Sequence, residues 1–245
     1  MNKKNKNVLI TGSTQGIGYS IAKVLNDFGY NVIITGRNKE KLEKLSKELN
    51  CSYFQIDLLE SGATKKLVDY CYEKYGTIDI LINNVGEYVY SPIEKTKEED
   101  INRLIKLNIK VPFELTKFVV SKMKENNWGR IVNIGSISGV VGEGNASLYS
   151  LTKSSIVGFS KALALELAEN KITINTINPG WVDTELVNND DLKEDFEKSE
   201  IIEMIPQRRF VHPDEVAHLC KYLISDEAKG LTGQSINLCA GLSLG

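Results

Sequence analysis

Two residues capable of acid–base chemistry, Tyr149 and Lys153, are four positions apart in the chain. The apolar residues of positions 147–168 repeat at a roughly helical period, and residues four apart on a helix share one face. A phenol has an ordinary pKa of about 10, and a neighbouring cation lowers that pKa. The pair therefore predicts a general acid–base, although an exposed Lys and a half-buried Tyr with no shared role have the same spacing.

An alternation of strands and helices must position this pair. Short β-branched apolar runs predict strands at residues 7–11, 31–35, 52–56, 79–83, 130–134, 172–177 and 235–238. Helical periodicity between them predicts helices at residues 20–28, 39–49, 62–75, 98–125, 147–168 and 214–224. The pattern is typical of one doubly wound α/β domain over residues 1–245, with helices on both faces of a seven-stranded, mostly parallel sheet. Ligands of such sheets bind beyond the carboxyl ends of the strands.

Composition narrows the possible partners. Thirty Lys and Arg residues against 32 Asp and Glu residues give a net charge of −2, which predicts no nucleic-acid surface. No apolar run approaches the roughly 20 residues that span a membrane, and the N-terminus lacks a signal peptide's apolar core. The four cysteines are scattered and match no zinc spacing. They predict reduced core residues, no metal site and a cytoplasmic protein.

A glycine-rich turn follows the first predicted strand, with the sequence Thr-Gly-Ser-Thr-Gln-Gly-Ile-Gly at positions 11–18. Glycines permit a tight turn and a close approach of the backbone to a phosphate. The N-terminus of the helix that follows presents unpaired N–H groups to an anion. The turn predicts a dinucleotide site, with a plain strand-to-helix connection as the alternative.

Further motifs occur in order along the chain. Asn-Asn-Val-Gly follows the fourth strand at positions 83–86, Ser136 follows the fifth, and Asn-Pro-Gly follows the sixth at positions 178–180. With the glycine turn and the Tyr149/Lys153 pair, these motifs make nearly the whole chain resemble a one-domain short-chain dehydrogenase/reductase. Two further segments, Asn-Trp-Gly-Arg-Ile-Val-Asn-Ile-Gly-Ser at positions 127–136 and Ser-Asp-Glu-Ala-x-x-x-Thr-Gly at positions 225–233, resemble most the branch of 3-oxoacyl-(acyl carrier protein) reductases. Val85 departs from the family pattern, which usually has Ala there.

The resemblance implies four catalytic residues. Tyr149 would exchange a proton with the substrate oxygen, and Lys153 would lower the Tyr149 pKa and bind the nicotinamide ribose. Ser136 would hydrogen-bond the substrate oxygen and fix its position. Asn108, in the middle of the predicted helix at residues 98–125, would hold a water that links Lys153 to solvent. A surface Asn is the alternative for that position.

The resemblance also implies the contacts of a nicotinamide dinucleotide. Asp57 would bind the adenine amino group, or alternatively cap a helix, and Leu58 would pack beside the ring. Asn84 and Gly86 would face the adenosine ribose. The phosphate turn and the nicotinamide pocket supply the remaining expected contacts, which are Gly12, Ser13, Thr14, Gly16, Ile17, Gly18, Tyr149, Lys153, Pro179, Gly180, Val182 and Thr184.

The residues after the second strand predict NADP(H) rather than NAD(H). NAD-dependent proteins of this fold place a carboxylate there, which binds the ribose hydroxyl and repels a 2′-phosphate. This chain has Gly36 and Arg37 instead, and an Arg can pair with a phosphate. Gln15 adds no second positive charge in the glycine turn, and a solvated surface Arg37 is the alternative.

Substrate specificity is expected from an acidic lid at residues 181–210 and from residues near the cleft mouth, namely Glu87, Tyr88, Tyr90, Val140, Val141, Glu143 and Asn145. His212 and His218 are predicted to be structural or surface residues. The apolar C-terminal tail and the helices that carry Asn108 and Tyr149 make the subunit contacts in related enzymes. They predict a homotetramer here, with a homodimer as the alternative.

The resulting hypothesis is an NADP(H)-dependent oxidoreductase that interconverts a small-molecule ketone and a secondary alcohol. Two alternatives are an isomerase or dehydratase of the same fold and a binding protein that senses a dinucleotide without turnover. A sensor would have no need of Asn108, Ser136, Tyr149 and Lys153 together, which favours the enzyme.

Overall fold

The computed structural model describes residues 6–185 and 198–244. Within them, seven parallel strands form one sheet in the order β3-β2-β1-β4-β5-β6-β7. The strands are β1 (Asn7–Ile10), β2 (Asn31–Gly36), β3 (Ser52–Gln55), β4 (Ile80–Asn83), β5 (Gly129–Ile134), β6 (Ile172–Pro179) and β7 (Ser235–Leu238). The predicted doubly wound α/β sheet is confirmed.

Helices connect the strands. They are α1 (Gly16–Asp27), α2 (Lys39–Leu49), α3 (Ala63–Tyr75), α4 (Glu98–Leu104), α5 (Val111–Glu125), α6 (Ser138–Val141), α7 (Ser147–Leu167), α8 (Lys198–Met204) and α9 (Pro213–Leu223). None of the described helices is long and apolar enough to cross a membrane.

The sheet has a hydrophobic core on each face. Because side chains alternate along a strand, Val8 and Ile10 point to one layer and Leu9 to the other. Helices α1, α2 and α9 cover the first face, and α3, α5 and α7 cover the second. The buried strands read as continuous β-branched runs for this reason. All four cysteines are unpaired, as predicted, and three of them are buried.

The predicted helix at residues 98–125 is interrupted, which corrects the sequence-based prediction. A π-helical segment, Ile105–Lys110, separates α4 from α5. Pro112 is in the first turn of α5 and has no N–H to donate to the carbonyl four residues earlier, at Asn108. The α-helical ladder is therefore broken at Asn108, and such π-bulges are frequent at functional sites.

The structure also explains His212, which was predicted to be structural. His212 is the N-cap of α9, where its Nδ1 accepts a hydrogen bond of 3.3 Å from the Asp214 N–H. Glu215 completes a capping box by accepting from the His212 N–H at 2.9 Å. His218 is on the outer face of the same helix, with its Nδ1 2.7 Å from the Asp214 carbonyl.

A matched pair of glycines tests the packing that places α7. A Cβ at Gly139 would lie 2.6 Å from the backbone carbonyl carbon of Lys153, whereas a Cβ at Gly158 would meet nothing within 4 Å. We expect Gly139→Ala to lower the free energy of unfolding by about 1–3 kcal/mol because α6 must move away from α7. Gly158→Ala should raise it by about 0.5–1 kcal/mol through helix propensity.

Urea unfolding midpoints of the two variants and the parent protein measure both effects. Equal midpoints for Gly139→Ala and the parent would show that α6 and α7 tolerate a wider separation.

Candidate active site

The candidate site is at the carboxyl edge of the sheet, where the strand order reverses between β1 and β4. Open α/β sheets bind their ligands at this switch point. Two adjoining cavities of about 350 Å³ and 640 Å³ occupy it. They share Ile17, Asn84, Gly86, Glu87 and Thr184, so one ligand can extend from the first cavity into the second.

The first cavity is formed around the glycine turn. Gly12 and Gly16 have φ values of 62° and 54°, which favour glycine. A Cβ at Gly18 would lie 2.3 Å from the Gly12 carbonyl oxygen, so only glycine fits there. The Asn84 side chain donates hydrogen bonds of 2.9 Å to the carbonyls of Thr11 and Gly12 and holds the turn. The turn and the N-terminus of α1 fit a pyrophosphate group.

The predicted dinucleotide contacts divide between the two cavities. Gly12, Thr14, Gly16, Ile17, Gly18, Arg37, Asp57, Leu58, Asn84 and Gly86 line the first, and Tyr149, Lys153, Pro179, Gly180, Val182 and Thr184 line the second. Ser13 lines neither of them. Its hydroxyl is buried, donates to the Ile10 carbonyl at 3.0 Å and accepts from the Thr35 N–H at 2.8 Å. Ser13 therefore ties β1 to β2 beneath the turn.

Asp57 caps a turn rather than a helix. Its Oδ1 accepts a hydrogen bond of 2.9 Å from the Leu59 N–H, whereas Gly62 is the N-cap of α3. The helix-capping alternative for Asp57 is therefore wrong. Since Asp57 also lines the first cavity, its carboxylate is available to a ligand there.

A second cation, which the sequence did not reveal, is at the edge of the first cavity. Lys41 is in the first turn of α2, and its Nζ donates a hydrogen bond of 3.2 Å to Oε1 of Gln15, which lines the cavity. Glu185, another lining residue, is 3.9 Å from the same Nζ. The position of Lys41 soon after Arg37, at the start of the predicted helix, was the available signal.

The second cavity contains the predicted acid–base pair. Lys153 is 6% exposed, and its ammonium donates a hydrogen bond of 2.9 Å to the Ile134 carbonyl at the end of β5. The same Nζ is 5.6 Å from the centre of the Tyr149 ring. Both side chains therefore face one end of the cavity, as their helical spacing predicts.

Burial dominates the electrostatics of this pair. It lowers the pKa of Lys153 to about 8, because a desolvated ammonium is destabilised. Burial likewise raises the pKa of Tyr149 to about 12, although a hydrogen bond with Ser136 acts in the opposite direction. The direction for Tyr149 is opposite to the lowering predicted from Lys153 alone, because the sequence does not show how deeply the phenol is buried.

A chain of hydrogen bonds leads away from the catalytic end of the cavity. Ser136 Oγ is 3.1 Å from Ser138 Oγ, which donates to Oε2 of Glu143 at 2.6 Å. Oε1 of Glu143 accepts from the Tyr88 hydroxyl at 2.7 Å. The Tyr88 ring meets the Tyr149 ring edge-on at 4.9 Å. Ser138 was not predicted, and its position two residues after Ser136 was the available signal.

Asn108 is buried in the π-helical segment beside Lys153. Its amide donates to the Glu87 carbonyl at 2.9 Å and to Thr152 Oγ1 at 3.1 Å, and its Oδ1 accepts from the Glu87 N–H at 2.9 Å. A Cβ at Gly86 would lie 3.2 Å from Asn108 Oδ1 and 3.3 Å from Lys153 Nζ. Asn108 thus fixes the loop after β4 against α7, which rules out the surface alternative. Its water-holding role stays a prediction.

The expected specificity residues line the second cavity with one exception. Glu87, Tyr88, Tyr90, Val141, Glu143 and Asn145 line it, whereas Val140 does not. Trp181, Met204 and Leu242 complete its apolar wall. The acidic middle of the predicted lid, Asp190, Asp191, Glu194, Asp195 and Glu197, lies outside the described residues.

Comparisons with known proteins agree with this geometry. Residues 6–195 match the family model described as short chain dehydrogenase. The 3-oxoacyl-[acyl-carrier-protein] reductase FabG of Rickettsia conorii is 35% identical over 97% of this chain and 96% of its own length. The Escherichia coli protein of that name is 31% identical over 99% of both chains.

A solved structure shows the same fold. A point variant of the actinorhodin polyketide ketoreductase, crystallised with NADPH, is 34% identical with a TM-score of 0.93 and covers 99% of this chain and 98% of its own. The fold, the glycine cradle, the Tyr149/Lys153 geometry and these similarities lead to one conclusion. The chain belongs to the short-chain dehydrogenase family and is similar to its 3-oxoacyl-(acyl carrier protein) reductases.

Proposed function

We propose that this protein is an NADP(H)-dependent oxidoreductase that interconverts a small-molecule ketone and a secondary alcohol. The observation that carries the proposal is the convergence of Tyr149, Ser136 and Lys153 at one end of a cavity that continues into the glycine cradle. The 3-oxoacyl reductases and the ketoreductase described above support the reaction class.

Tyr149 is the proton donor in the reduction direction. Its raised pKa keeps the phenol protonated at neutral pH, so it can give a proton to the substrate oxygen. Ser136 holds that oxygen with a hydrogen bond and restricts its distance from the phenol. When bound, the nicotinamide cofactor supplies a hydride to the carbonyl carbon. The alcohol is released after Tyr149 has transferred its proton.

Lys153 stabilises the negative charge that Tyr149 acquires. Its ammonium is fixed by a hydrogen bond to the Ile134 carbonyl and is close to the Tyr149 ring. The positive charge is therefore already in place when the phenolate forms, and Lys153 does not have to move. The ammonium's other protons are free to bind the ribose of the cofactor. Asn108 acts as a positioning residue, because it holds Glu87 and Thr152 beside this pair.

Two positive charges favour NADP(H) over NAD(H). Arg37 lines the first cavity directly after Gly36, at the position where NAD-dependent proteins of this fold place a carboxylate. Lys41 hydrogen-bonds Gln15 of the glycine turn and so adds a second positive charge at the edge of this cavity. The NADPH in the ketoreductase crystal supports this choice. We further propose a cytoplasmic homotetramer, with a homodimer as the alternative.

Removal of the Tyr149 hydroxyl tests the proton-donor role. We expect Tyr149→Phe to lower kcat for ketone reduction by about 100-fold or more, since general acid catalysis contributes at least that much. Binding of NADPH, followed by fluorescence titration, should be unchanged because the ring stays in place. Retention of full activity would remove Tyr149 from the mechanism.

The cofactor preference has its own test. The parent protein should show a higher kcat/KM with NADPH than with NADH, and Arg37→Ala should reduce that ratio by about 10-fold or more, as expected for a lost charge-assisted phosphate contact. Lys41→Ala should reduce it less, because Glu185 already offsets part of the Lys41 charge.

Lys39→Ala is the matched control for these two variants. Lys39 is on the same helix but pairs with Glu43 at 3.7 Å, whereas Lys41 hydrogen-bonds Gln15 in the cavity wall. Its removal should leave the ratio unchanged. A parent protein that prefers NADH would refute the NADP(H) assignment.

The pH dependence follows from the Lys153 pKa. The ammonium is present below its pKa of about 8 and is lost as the pH rises through that value, whereas Tyr149 keeps its proton up to about 12. We expect kcat/KM for ketone reduction to be level near neutral pH and to fall above about pH 8. Rates at fixed ionic strength across this range measure the profile. A rate that rises through pH 8 would contradict the role of the ammonium.

A further inference from the structure

The substrate cavity contains a carboxylate, Glu143, whose charge no described cation neutralises. Both of its oxygens are held by neutral hydroxyl donors, at 2.6 Å from Ser138 and 2.7 Å from Tyr88. Burial and the hydrogen bond to Glu143 raise the pKa of Tyr88 well above its ordinary value, so Tyr88 remains an uncharged donor. Among the described residues, the carboxylate is therefore held in the cavity wall by hydroxyl groups and by no cation.

The other acidic group of this wall is in a different situation. Glu87 also lines the cavity, but its Oε2 is 2.6 Å from Nε of Arg103, a guanidinium that it shares with Asp100. Among the described residues that line the cavity, Lys153 is the cation, and it is buried at the catalytic end against the Ile134 carbonyl. Of the two carboxylates that line the cavity among the described residues, Glu143 is thus the one without an ion-pair partner.

Aromatic residues line the same cavity as Glu143, and one of them, Tyr88, contacts its carboxylate. Tyr88, Tyr90 and Trp181 all line it, and Tyr90 is fixed by a hydrogen bond of 2.9 Å from Asn145 to its hydroxyl. Aromatic faces attract cations, most strongly where water is partly excluded. A carboxylate among such rings is suited to an ammonium group, and it repels a second carboxylate or a phosphate.

The hydrogen bonds also fix how far this group is from the reacting carbonyl. Glu143 Oε2 is two hydrogen bonds from Ser136, through Ser138. A substrate oxygen that is hydrogen-bonded to Ser136 would therefore be connected to Glu143 Oε2 by three successive hydrogen bonds. An ammonium a short alkyl chain away from the ketone would reach the carboxylate.

We propose that Glu143 selects substrates that carry a positively charged ammonium group near the carbonyl, so that the substrate class is an amino ketone or the corresponding amino alcohol. This inference rests on the proposed carbonyl reduction. Glu143 is the specificity residue, and the rings of Tyr88, Tyr90 and Trp181 surround the cation.

A pair of isosteric probes tests the charge. One is a methyl ketone with a trimethylammonium group three methylenes from the carbonyl, and the other carries a tert-butyl group in its place. The parent protein should have a higher kcat/KM for the ammonium ketone, by about 10-fold, as expected for a carboxylate and aromatic rings around a cation. Glu143→Gln should remove this preference and leave the tert-butyl ketone little changed. Gln has the same shape as Glu, its Oε1 can accept from one of the two hydroxyls, and its Nε2 can donate to the oxygen of the other.

Tyr88→Phe separates the charge from a purely structural role. This variant deletes the hydroxyl that holds Glu143 but keeps the carboxylate and the ring. If Glu143 selects the cation, the preference survives in Tyr88→Phe and is lost in Glu143→Gln. If Glu143 only anchors the loop through Tyr88, the two variants lose activity alike on both ketones, which would overturn the inference.

Calorimetric binding of the two probes to the protein with saturating NADP⁺ keeps this test independent of turnover. Tighter binding of the ammonium ketone to the parent protein than to Glu143→Gln is the expected result, even if neither ketone is reduced. In that case the proposed reaction would fail and the cation site would stand. Reduction of both ketones with equal binding by parent and variant would overturn the cation site alone.

Discussion

The hydrogen bond from the Lys153 ammonium to the Ile134 carbonyl is the interaction on which the candidate site depends. A buried ammonium is unfavourable unless it is hydrogen-bonded, and here the bond is to a backbone carbonyl of the last residue of β5. The bond also fixes α7 relative to the sheet, because Lys153 is in the first half of that helix. Tyr149, one turn earlier, is then held at the same cavity.

Several local features follow from this constraint. Gly139 lets α6 approach the Lys153 backbone so closely that no side chain fits between them. Gly86 leaves room for both the Lys153 ammonium and the Asn108 side chain. The π-helical segment turns Asn108 toward the Glu87 backbone, so that the loop after β4 closes over the pair. Each of these features helps to hold the Lys153 ammonium in its place.

The sequence predicted the sheet and the catalytic pair because both leave periodic signals. Buried parallel strands such as residues 31–36 are continuous apolar runs, and the Tyr149/Lys153 spacing is one helical turn. It did not predict the π-helical segment, because the helical periodicity runs from residue 98 to residue 125 across Pro112 and does not show where the backbone hydrogen bonds change. Nor did it predict the direction of the Tyr149 pKa change, since burial depends on tertiary packing. Lys41 was missed because its role depends on a contact with Gln15 across the fold. Ser138 was missed because its contact with Glu143, five residues later, depends on the local fold of α6 and the turn after it.

The two cavities place their charged groups differently. In the first, Arg37 is the cation among the described lining residues, together with the carboxylates of Asp57, Glu87 and Glu185. The proposed function puts the phosphorylated ribose at Arg37. The second has Glu143 beyond the catalytic end and disfavours groups of the same sign as the cofactor phosphates. A phosphorylated cofactor would therefore be disfavoured in the substrate cavity, and a cationic substrate would be disfavoured in the Arg37 corner. Lys153 lines the second cavity, and its ammonium is packed beside Gly86, a residue that both cavities share. Under the proposed function, Arg37 would orient the cofactor and Glu143 would restrict which carbonyl compounds reach Tyr149.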